Sequence, residues 1–220
     1  MKFLIIFSDE FHGFFKSKVM FVLWIGLPMI TILMHFFQPD MAEFPFSILV
    51  SIVLSAIGGT IASAMIGTSL TSEINQKVYD LFLIRPVKRI TLLFAKFCAV
   101  YLCLVIAVLI SLILGLLIDY CTMGGLSNTF MRTLFESLAT SLAAIAISCS
   151  IGLLFGVTVS SVPVTAILSV YVGNQLSALS ILPALLVDII NPLALAAIIG
   201  IIIPTILIII SSIIFIRKDF

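Results

Sequence analysis

Long apolar stretches separated by short polar segments form the main pattern of this chain. A helix needs about 20 mostly apolar residues to cross a bilayer, because the hydrocarbon core is about 30 Å thick and each residue rises about 1.5 Å. Five stretches meet this requirement, over residues 19–37, 46–70, 92–118, 134–159 and 198–216. We therefore predict that each of them crosses a membrane as an α-helix.

A sixth apolar segment, residues 162–195, has a different pattern because polar and helix-breaking residues interrupt it. It is too long for one crossing and too short for two full ones. We predict a short fifth span over residues 163–179, followed by a re-entrant hairpin over residues 180–195 that enters the outer leaflet and turns back. The interrupting residues are Pro163, Gly173, Asn174, Pro183, Asp188 and Pro192.

Composition agrees with a membrane protein and excludes a soluble one. Hydrophobic residues make up 62% of the 220 residues and charged residues only 10%, with a mean hydropathy of +1.37. Soluble domains are about half apolar and about a quarter charged. Since helices that thread one bilayer share one packed bundle, we predict an all-α polytopic protein with six spans and a single transmembrane domain over residues 1–220.

The positions of the basic residues predict the orientation, because loops rich in lysine and arginine stay in the cytoplasm. With the N-terminus inside, six crossings put every lysine and arginine except Arg132 on the cytoplasmic side. We therefore predict a multi-pass protein of the cytoplasmic membrane with both termini in the cytoplasm. The basic residues on that side are Lys2, Lys16, Lys18, Lys77, Arg85, Lys88, Arg89, Lys96, Arg217 and Lys218.

Residues 1–18 have the pattern of an amphipathic helix. Aromatic and aliphatic residues recur there at steps of three and four, while Asp9, Glu10, His12 and Lys16 lie largely between them. A helix of this kind can lie in the membrane interface with its apolar side against the acyl chains. We predict an interfacial helix whose apolar side contains Phe3, Leu4, Phe7, Phe11, Phe14 and Phe15.

The polar segment between the second and third spans, residues 72–91, is the most informative part of the sequence. Residues 73–84 can form a short helix, and Pro86 disfavours helical geometry in the residue before it. Arg85, Lys88 and Arg89 then lie near the membrane surface, where they can also contact lipid phosphates. A short, stiff and partly apolar helix at this place is suited to dock a soluble partner.

This segment resembles a known family. A glutamate, Glu73, precedes the run Leu81-Phe-Leu-Ile-Arg-Pro-Val-Lys-Arg89, and Lys96 enters the next span. The pattern is similar to the permease subunit of type-2 ATP-binding-cassette (ABC) transporters. The resemblance implies six spans, an N-terminal connector helix, a coupling helix that inserts into the ATPase subunit, and an outer re-entrant hairpin. It implies an exporter that forms a homodimer and docks two ATPase subunits.

The resemblance also assigns roles to individual residues. ATP and magnesium would be bound by the partner subunit, and this chain would hold no cofactor and contact membrane lipids but no nucleic acid. Residues that would dock the ATPase are Glu73, Lys77, Asp80, Leu81, Leu83, Arg85 and Pro86. Residues that would form the outer gate are Pro183, Asp188, Asn191 and Pro192.

The sequence contains no motif for catalysis by this chain alone. There is no Gly-x-x-x-x-Gly-Lys-Ser/Thr phosphate-binding loop, so we expect no ATP hydrolysis by it and do not expect an enzyme. His12 and His35 are far apart in the sequence and have no acidic residue or cysteine at metal-ligand spacing, so we expect no metal site. Free cysteines packed between helices are expected at Cys98, Cys103, Cys121 and Cys149.

A row of small residues lies along the second span. Small side chains let two helices approach closely, which is the interpretation we favour; a lining of the translocation path is the alternative. The residues are Gly58, Gly59, Ala62, Ser63, Ala64 and Gly67.

Two other functions remain open at this point. A secondary transporter would carry ionisable residues inside its spans and repeated halves. A non-transporting scaffold or assembly factor would use residues 72–91 only to recruit a partner. The substrate is not specified by the sequence, although spans rich in Leu, Ile, Val and Phe suit an amphipathic or lipid-like cargo.

Overall fold

The computed structural model describes residues 2–37, 46–76, 89–123, 128–180 and 192–217, and these residues contain α-helices and no strands. In these ranges seven α-helices follow one another, and a short 3-10 turn, Ala178–Ser180, continues the sixth. The helices are α1 (Lys2–Phe15), α2 (Lys18–Phe37), α3 (Phe46–Asn75), α4 (Arg89–Met123), α5 (Asn128–Thr158), α6 (Val162–Ser177) and α7 (Pro192–Arg217).

Six of these helices, α2 to α7, are long and apolar enough to cross a membrane. The chain is therefore a multi-pass membrane protein, and its described residues contain the six spans that the sequence predicts. The predicted span over residues 163–179 corresponds to α6 and its 3-10 turn, with Pro163 in the first turn of the helix. Gly173 and Asn174 do not interrupt α6, which continues through both of them.

Helix α3 differs from the prediction at its C-terminal end. The sequence pattern placed the end of the second span at Leu70 and the start of a separate helix at Glu73. In the structure α3 continues without a break to Asn75, so Glu73 belongs to the last turn of the spanning helix. The polar side chains of Thr71 and Asn75, near this end, form hydrogen bonds with backbone carbonyl groups elsewhere in the bundle. Helix α3 can therefore continue beyond the end of its apolar stretch.

The core lies where α3, α4 and α5 meet, with α2 packed against its side. The most extensive contact joins α3 to α5, and α6 and α7 both pack on α5. Fully buried large side chains of this core include Leu54, Ile66, Leu93, Leu104 and Ile145. Residues on the outer faces, such as Ile201 and Ile209 of α7, are exposed apolar groups, as expected where a helix faces lipid.

Candidate functional site

A buried lysine, Lys96, forms the centre of the candidate site. It lies about two turns inside α4, and only 1% of its surface is exposed. Its ammonium donates hydrogen bonds to the Ser69 hydroxyl, at 3.1 Å, and to the Glu73 carboxylate. Ser69 Oγ also donates to Glu73 Oε1, at 3.0 Å. The beginning of α4 is therefore joined to the end of α3 by an ion pair with a bridging hydroxyl.

Helix α1 contributes a second carboxylate to the same lysine. Glu10 Oε2 lies 3.9 Å from Lys96 Nζ. One turn later, the ring of Phe14 lies with its centre 5.8 Å from the ammonium, close enough for a cation–π interaction. Lys96 is thus enclosed by three helices, and we call Glu10, Ser69, Glu73 and Lys96 the Lys96 cluster.

The Lys96 cluster contains one cation and two carboxylates. Burial raises the pKa of Glu10 above its ordinary value of 4.5, because a carboxylate loses favourable hydration when it leaves water. The charge of Lys96 opposes this shift in the pKa of Glu10, whereas the negative charges of Glu73 and Asp9 add to it. Burial therefore makes the charged form of Glu10 less favourable than it is in water.

An open groove of about 400 Å³ lies beside the cluster, between α1 and the end of α3. Carboxylates dominate its polar lining, so its surface is acidic. The lining residues are Asp9, Glu10, Gly13, Phe14, Ser17 and Glu73.

Aromatic rings hold α1 against the bundle. Phe3 contacts Phe94 of α4, with ring centres 6.0 Å apart, and Phe15 meets Trp24 of α2 edge-on at 4.9 Å. Along α1 itself, Phe3, Phe7, Phe11 and Phe15 form a continuous series with ring centres 5.9 to 6.1 Å apart.

The burial of individual residues shows which side of α1 faces the bundle. Phe11 and Phe14 are partly buried against the protein core, whereas Leu4 and Ile5 remain exposed. Glu10 was placed with the polar residues, yet it lies on the side that faces the bundle, while Asp9 and His12 are exposed. The phenylalanine side of α1 therefore packs in part on protein, and Leu4, Ile5 and Phe15 are exposed apolar residues that remain for another surface.

The side of α3 that faces α5 and α6 is built from small residues. A Cβ atom added at Gly152 of α5 would lie 2.5 Å from the carbonyl oxygen of Ser63, and one added at Gly59 of α3 would lie 2.7 Å from Ser148 Oγ. A Cβ at Gly67 would lie 3.0 Å from Thr165 of α6. The prediction that the small residues of this span permit close helix approach is therefore confirmed for Gly59, Ser63 and Gly67.

Hydroxyl and amide groups complete this small-residue contact. Thr71 Oγ1 lies 3.2 Å from the Gly156 carbonyl oxygen and 3.1 Å from Thr165 Oγ1. Four residues later, Asn75 Nδ2 donates to the carbonyl oxygen of Ser160, at 2.8 Å. These bonds join the end of α3 to the connection between α5 and α6, so the same helix end is fixed on two sides.

The structure describes some of the predicted site residues and not others. Of the proposed docking residues, Glu73 is described, and it lies in the Lys96 cluster. Outside the described residues lie Lys77, Asp80, Leu81, Leu83, Arg85 and Pro86. Of the gate residues, Pro192 is the first residue of α7, and Pro183, Asp188 and Asn191 lie outside the described part of the chain.

Other candidate chemistry has a structural explanation. Cys103 and Cys149 are free thiols buried in the core, and Cys98 is a partly buried free thiol. Within the described residues no group of three or more His, Cys, Asp and Glu side chains could hold a metal ion. His12 Nδ1 bonds to the carbonyl oxygen of Ser8 in the preceding turn, at 2.8 Å.

Sequence reasoning missed the grouping of Glu10 and Lys96. Lys96 was counted among the basic residues on the cytoplasmic side, although apolar residues flank it on both sides in Phe94-Ala-Lys-Phe-Cys98. The signal in the sequence was that Glu10 lies one turn from Phe14, on the same face of the helix.

Neither a protein-family model nor a curated protein matches this chain.

Proposed function

We propose that this chain is the permease subunit of an ABC exporter, which moves a substrate out of the cytoplasm with ATP hydrolysed by a separate ATPase subunit. The six apolar helices, the packed N-terminal helix and the resemblance over residues 73–96 support this proposal. The supporting observation of most weight is that Lys96 joins the two helix ends that bracket residues 77–88.

A docking segment can transmit movement only if the helices that carry it respond as a unit. Residues 77–88 follow α3 and precede α4, and the Lys96 cluster fixes these helix ends to each other and to α1. Force applied to the segment by a partner would therefore reach three helices at once. Coupling through rigid helices and packed polar networks is the physical route that such a mechanism needs.

In this proposal the Lys96 cluster lies at the cytoplasmic side, because residues 77–88 carry Lys77, Arg85 and Lys88. Helix α1 would be the connector helix in the membrane interface. Glu73 would position the docking segment instead of inserting into the partner, since its carboxylate is bonded to Lys96. The docking role of Lys77, Asp80, Leu81, Leu83, Arg85 and Pro86 stays a prediction.

Two copies of the chain would form the path between them, with one ATPase subunit under each. ATP and magnesium would be bound by the ATPase subunits. The outer gate would be formed by the segment that precedes α7, with Pro183, Asp188, Asn191 and Pro192. An amphipathic or lipid-like substrate fits spans whose exposed faces are Leu, Ile, Val and Phe.

Affinity purification from native membranes tests the proposal. We expect an ATP-binding subunit to be recovered with the chain in near-equal amount. Leu81→Asp combined with Leu83→Asp should abolish the stimulation of that subunit's ATPase activity, while membrane insertion is unchanged. The matched control, Leu81→Met with Leu83→Met, keeps the apolar surface and should keep the stimulation. Persistent stimulation in the aspartate variant would show that residues 81–83 do not dock the ATPase.

The chain purified in this way also distinguishes an exporter from the two alternatives, a secondary transporter and a scaffold. A chain that moves substrate in vesicles under an ion gradient, without any ATP-binding subunit, would be a secondary transporter. A chain that recruits a partner but transports nothing, either with ATP or under an ion gradient, would be a scaffold or assembly factor. Either result would replace the exporter proposal.

A further inference from the structure

Helix α6 exposes polar side chains in the middle of its span. Tyr171 is the middle residue of the 19-residue span Val162–Ser180, and 66% of its surface is exposed. Asn174 and Gln175, also exposed, lie about 5 and about 6 Å further along the helix, at about 1.5 Å per residue. All three side chains therefore belong to the part of α6 that lies inside a hydrocarbon core about 30 Å thick.

Lipid chains are a poor neighbour for these side chains. None of the three has a hydrogen-bond partner within the part of the chain that the structure describes. An amide left without a partner in hydrocarbon is costly, because acyl chains can neither donate nor accept a hydrogen bond. The exposed residues of α7, such as Ile201 and Ile209, carry no such cost. Lipid therefore suits the outer face of α7 and does not suit this face of α6.

The opposite side of α6 fixes how the helix is turned. That side is buried and consists of Thr165, Ser169, Gly173 and Ser177. A Cβ added at Gly173 would lie 3.1 Å from the side chain of Ser63 in α3, and Ser148 Oγ of α5 donates to the Gly173 carbonyl oxygen at 3.3 Å. Because this contact is close, the two amides cannot turn into the bundle of their own chain.

We call the exposed side of α6 and its 3-10 turn the amide face. It is self-complementary, because each amide has both donors and an acceptor, so one amide face offers the groups that another needs. It is also uncharged, since α6 contains no Asp, Glu, Lys or Arg, and two identical copies do not repel each other. The residues of the amide face, at steps of three and four, are Val164, Ile167, Tyr171, Asn174, Gln175 and Ala178.

We propose that two copies of this chain pair through the amide face, with α6 against α6 of the second copy around a two-fold axis along the membrane normal. In such a contact the same residues meet at the same depth, so Asn174 and Gln175 bond to the same two residues of the second copy. Hydrogen bonds of this kind stabilise the association of spanning helices. The pairing rests on the homodimer of the proposed function and names its contact surface.

Disulfide crosslinking locates the contact, because a disulfide requires two Cα atoms about 6 Å apart. The background carries Cys→Ala at positions 98, 103, 121 and 149, and the protein is reconstituted in phosphatidylcholine vesicles. Ile167→Cys lies on the amide face, and Ile201→Cys, at a similarly exposed position on α7, is the matched control. Under mild oxidation we expect several-fold more crosslinked dimer from Ile167→Cys than from Ile201→Cys.

Removal of the amides tests their role without new cysteines. Asn174→Leu combined with Gln175→Leu keeps side chains of similar size, and the dissociation constant of the dimer, measured by energy transfer between labelled copies in the same vesicles, should rise about tenfold. Asn174→Gln keeps an amide and should pair as the wild type does. Gln76→Leu removes an amide that bonds to Ser72 in its own helix, and should leave the dissociation constant unchanged.

Three results would overturn the pairing. One is a chain that stays monomeric in the vesicles, and another is a dimer that crosslinks at position 201 and is insensitive to loss of the amides. The third is labelling of Ile167→Cys by a membrane-impermeant thiol reagent without crosslinking, which would show water at the amide face. Recovery of an ATPase subunit with a chain that does not crosslink at position 167 would reject the pairing and leave the exporter proposal. Crosslinking there without an ATPase subunit would support the pairing and reject the exporter.

Discussion

Helix α3 contacts its neighbours through close packing of small residues on one side and through an ion-pair cluster on the other. Toward α5 and α6, glycine, serine and threonine residues such as Gly67 and Gly152 bring backbones into direct contact. Toward α4 and α1, the last turn of the same helix meets the Lys96 cluster. The first contact has no room for an added carbon atom, whereas the second depends on which groups are ionised.

With these two contacts, one helix can be both fixed and responsive. Close packing of small residues contributes through many weak contacts that neither pH nor salt alters. An ion pair in a largely buried place depends on the ionisation of both partners and penalises the loss of either. A helix with one contact of each kind has a fixed side and a side whose binding can change. Substitutions on the two sides should therefore have different signatures.

We expect Lys96→Met to destabilise the protein most. It removes the only cation of the Lys96 cluster and leaves two carboxylates facing each other, so we expect a loss of about 3–5 kcal/mol in the free energy of unfolding. Denaturation in mixed detergent micelles measures this, and Trp24, the single tryptophan, supplies the fluorescence signal. Lys16→Met removes an exposed lysine and is the matched control, with little change expected. Equal stability of the two variants would contradict a structural role for the cluster.

A smaller loss is expected for Gly152→Ala. The new Cβ would lie 2.5 Å from the Ser63 carbonyl oxygen, so α3 and α5 would have to separate, at a cost of about 1–3 kcal/mol. The loss should be the same at low and high pH, because no titratable group takes part. Gly26→Ala on α2 meets nothing within 4 Å and provides the control. If both alanine variants unfold at the wild-type midpoint, the helices are not in the close contact described.

The smallest effect is expected for Thr71→Val. This change keeps the shape of the side chain and removes the hydroxyl that contacts Gly156 and Thr165, which should cost about 1 kcal/mol. Thr205→Val on α7 is the control, since that exposed hydroxyl bonds only within its own helix, to the Ile202 carbonyl oxygen. A loss at Thr205 as large as that at Thr71 would mean that the interhelix bond adds nothing.

The fold was largely predictable because hydropathy depends on local sequence. Apolar length identified all six spans, and Pro163 marked the start of α6 correctly. The small residues of α3 also indicated a close contact, although the sequence did not show which helix would fill it. Gly152 and Gly173 are the partners, and they come from different helices.

The Lys96 cluster was not predictable from the same local pattern. The positive-inside rule counts Lys96 with the cytoplasmic loop residues. In the structure α4 begins at Arg89 and carries Lys96 inside the bundle. Glu10 and Lys96 are far apart in sequence, and their contact depends on the direction in which α1 lies. The hydropathy pattern contains no information on that direction. The site could therefore be identified only from the packing of the three helices.

The pairing of Lys96 with Glu73 can be measured by a double-mutant cycle. Lys96→Met and Glu73→Gln are made singly and together, and the free energy of unfolding is measured for all four chains. If Lys96 and Glu73 attract each other as described, the double variant should be more stable than the sum of the two single losses predicts, by about 2 kcal/mol. Strict additivity of the two losses would contradict the ion pair that joins α3 to α4.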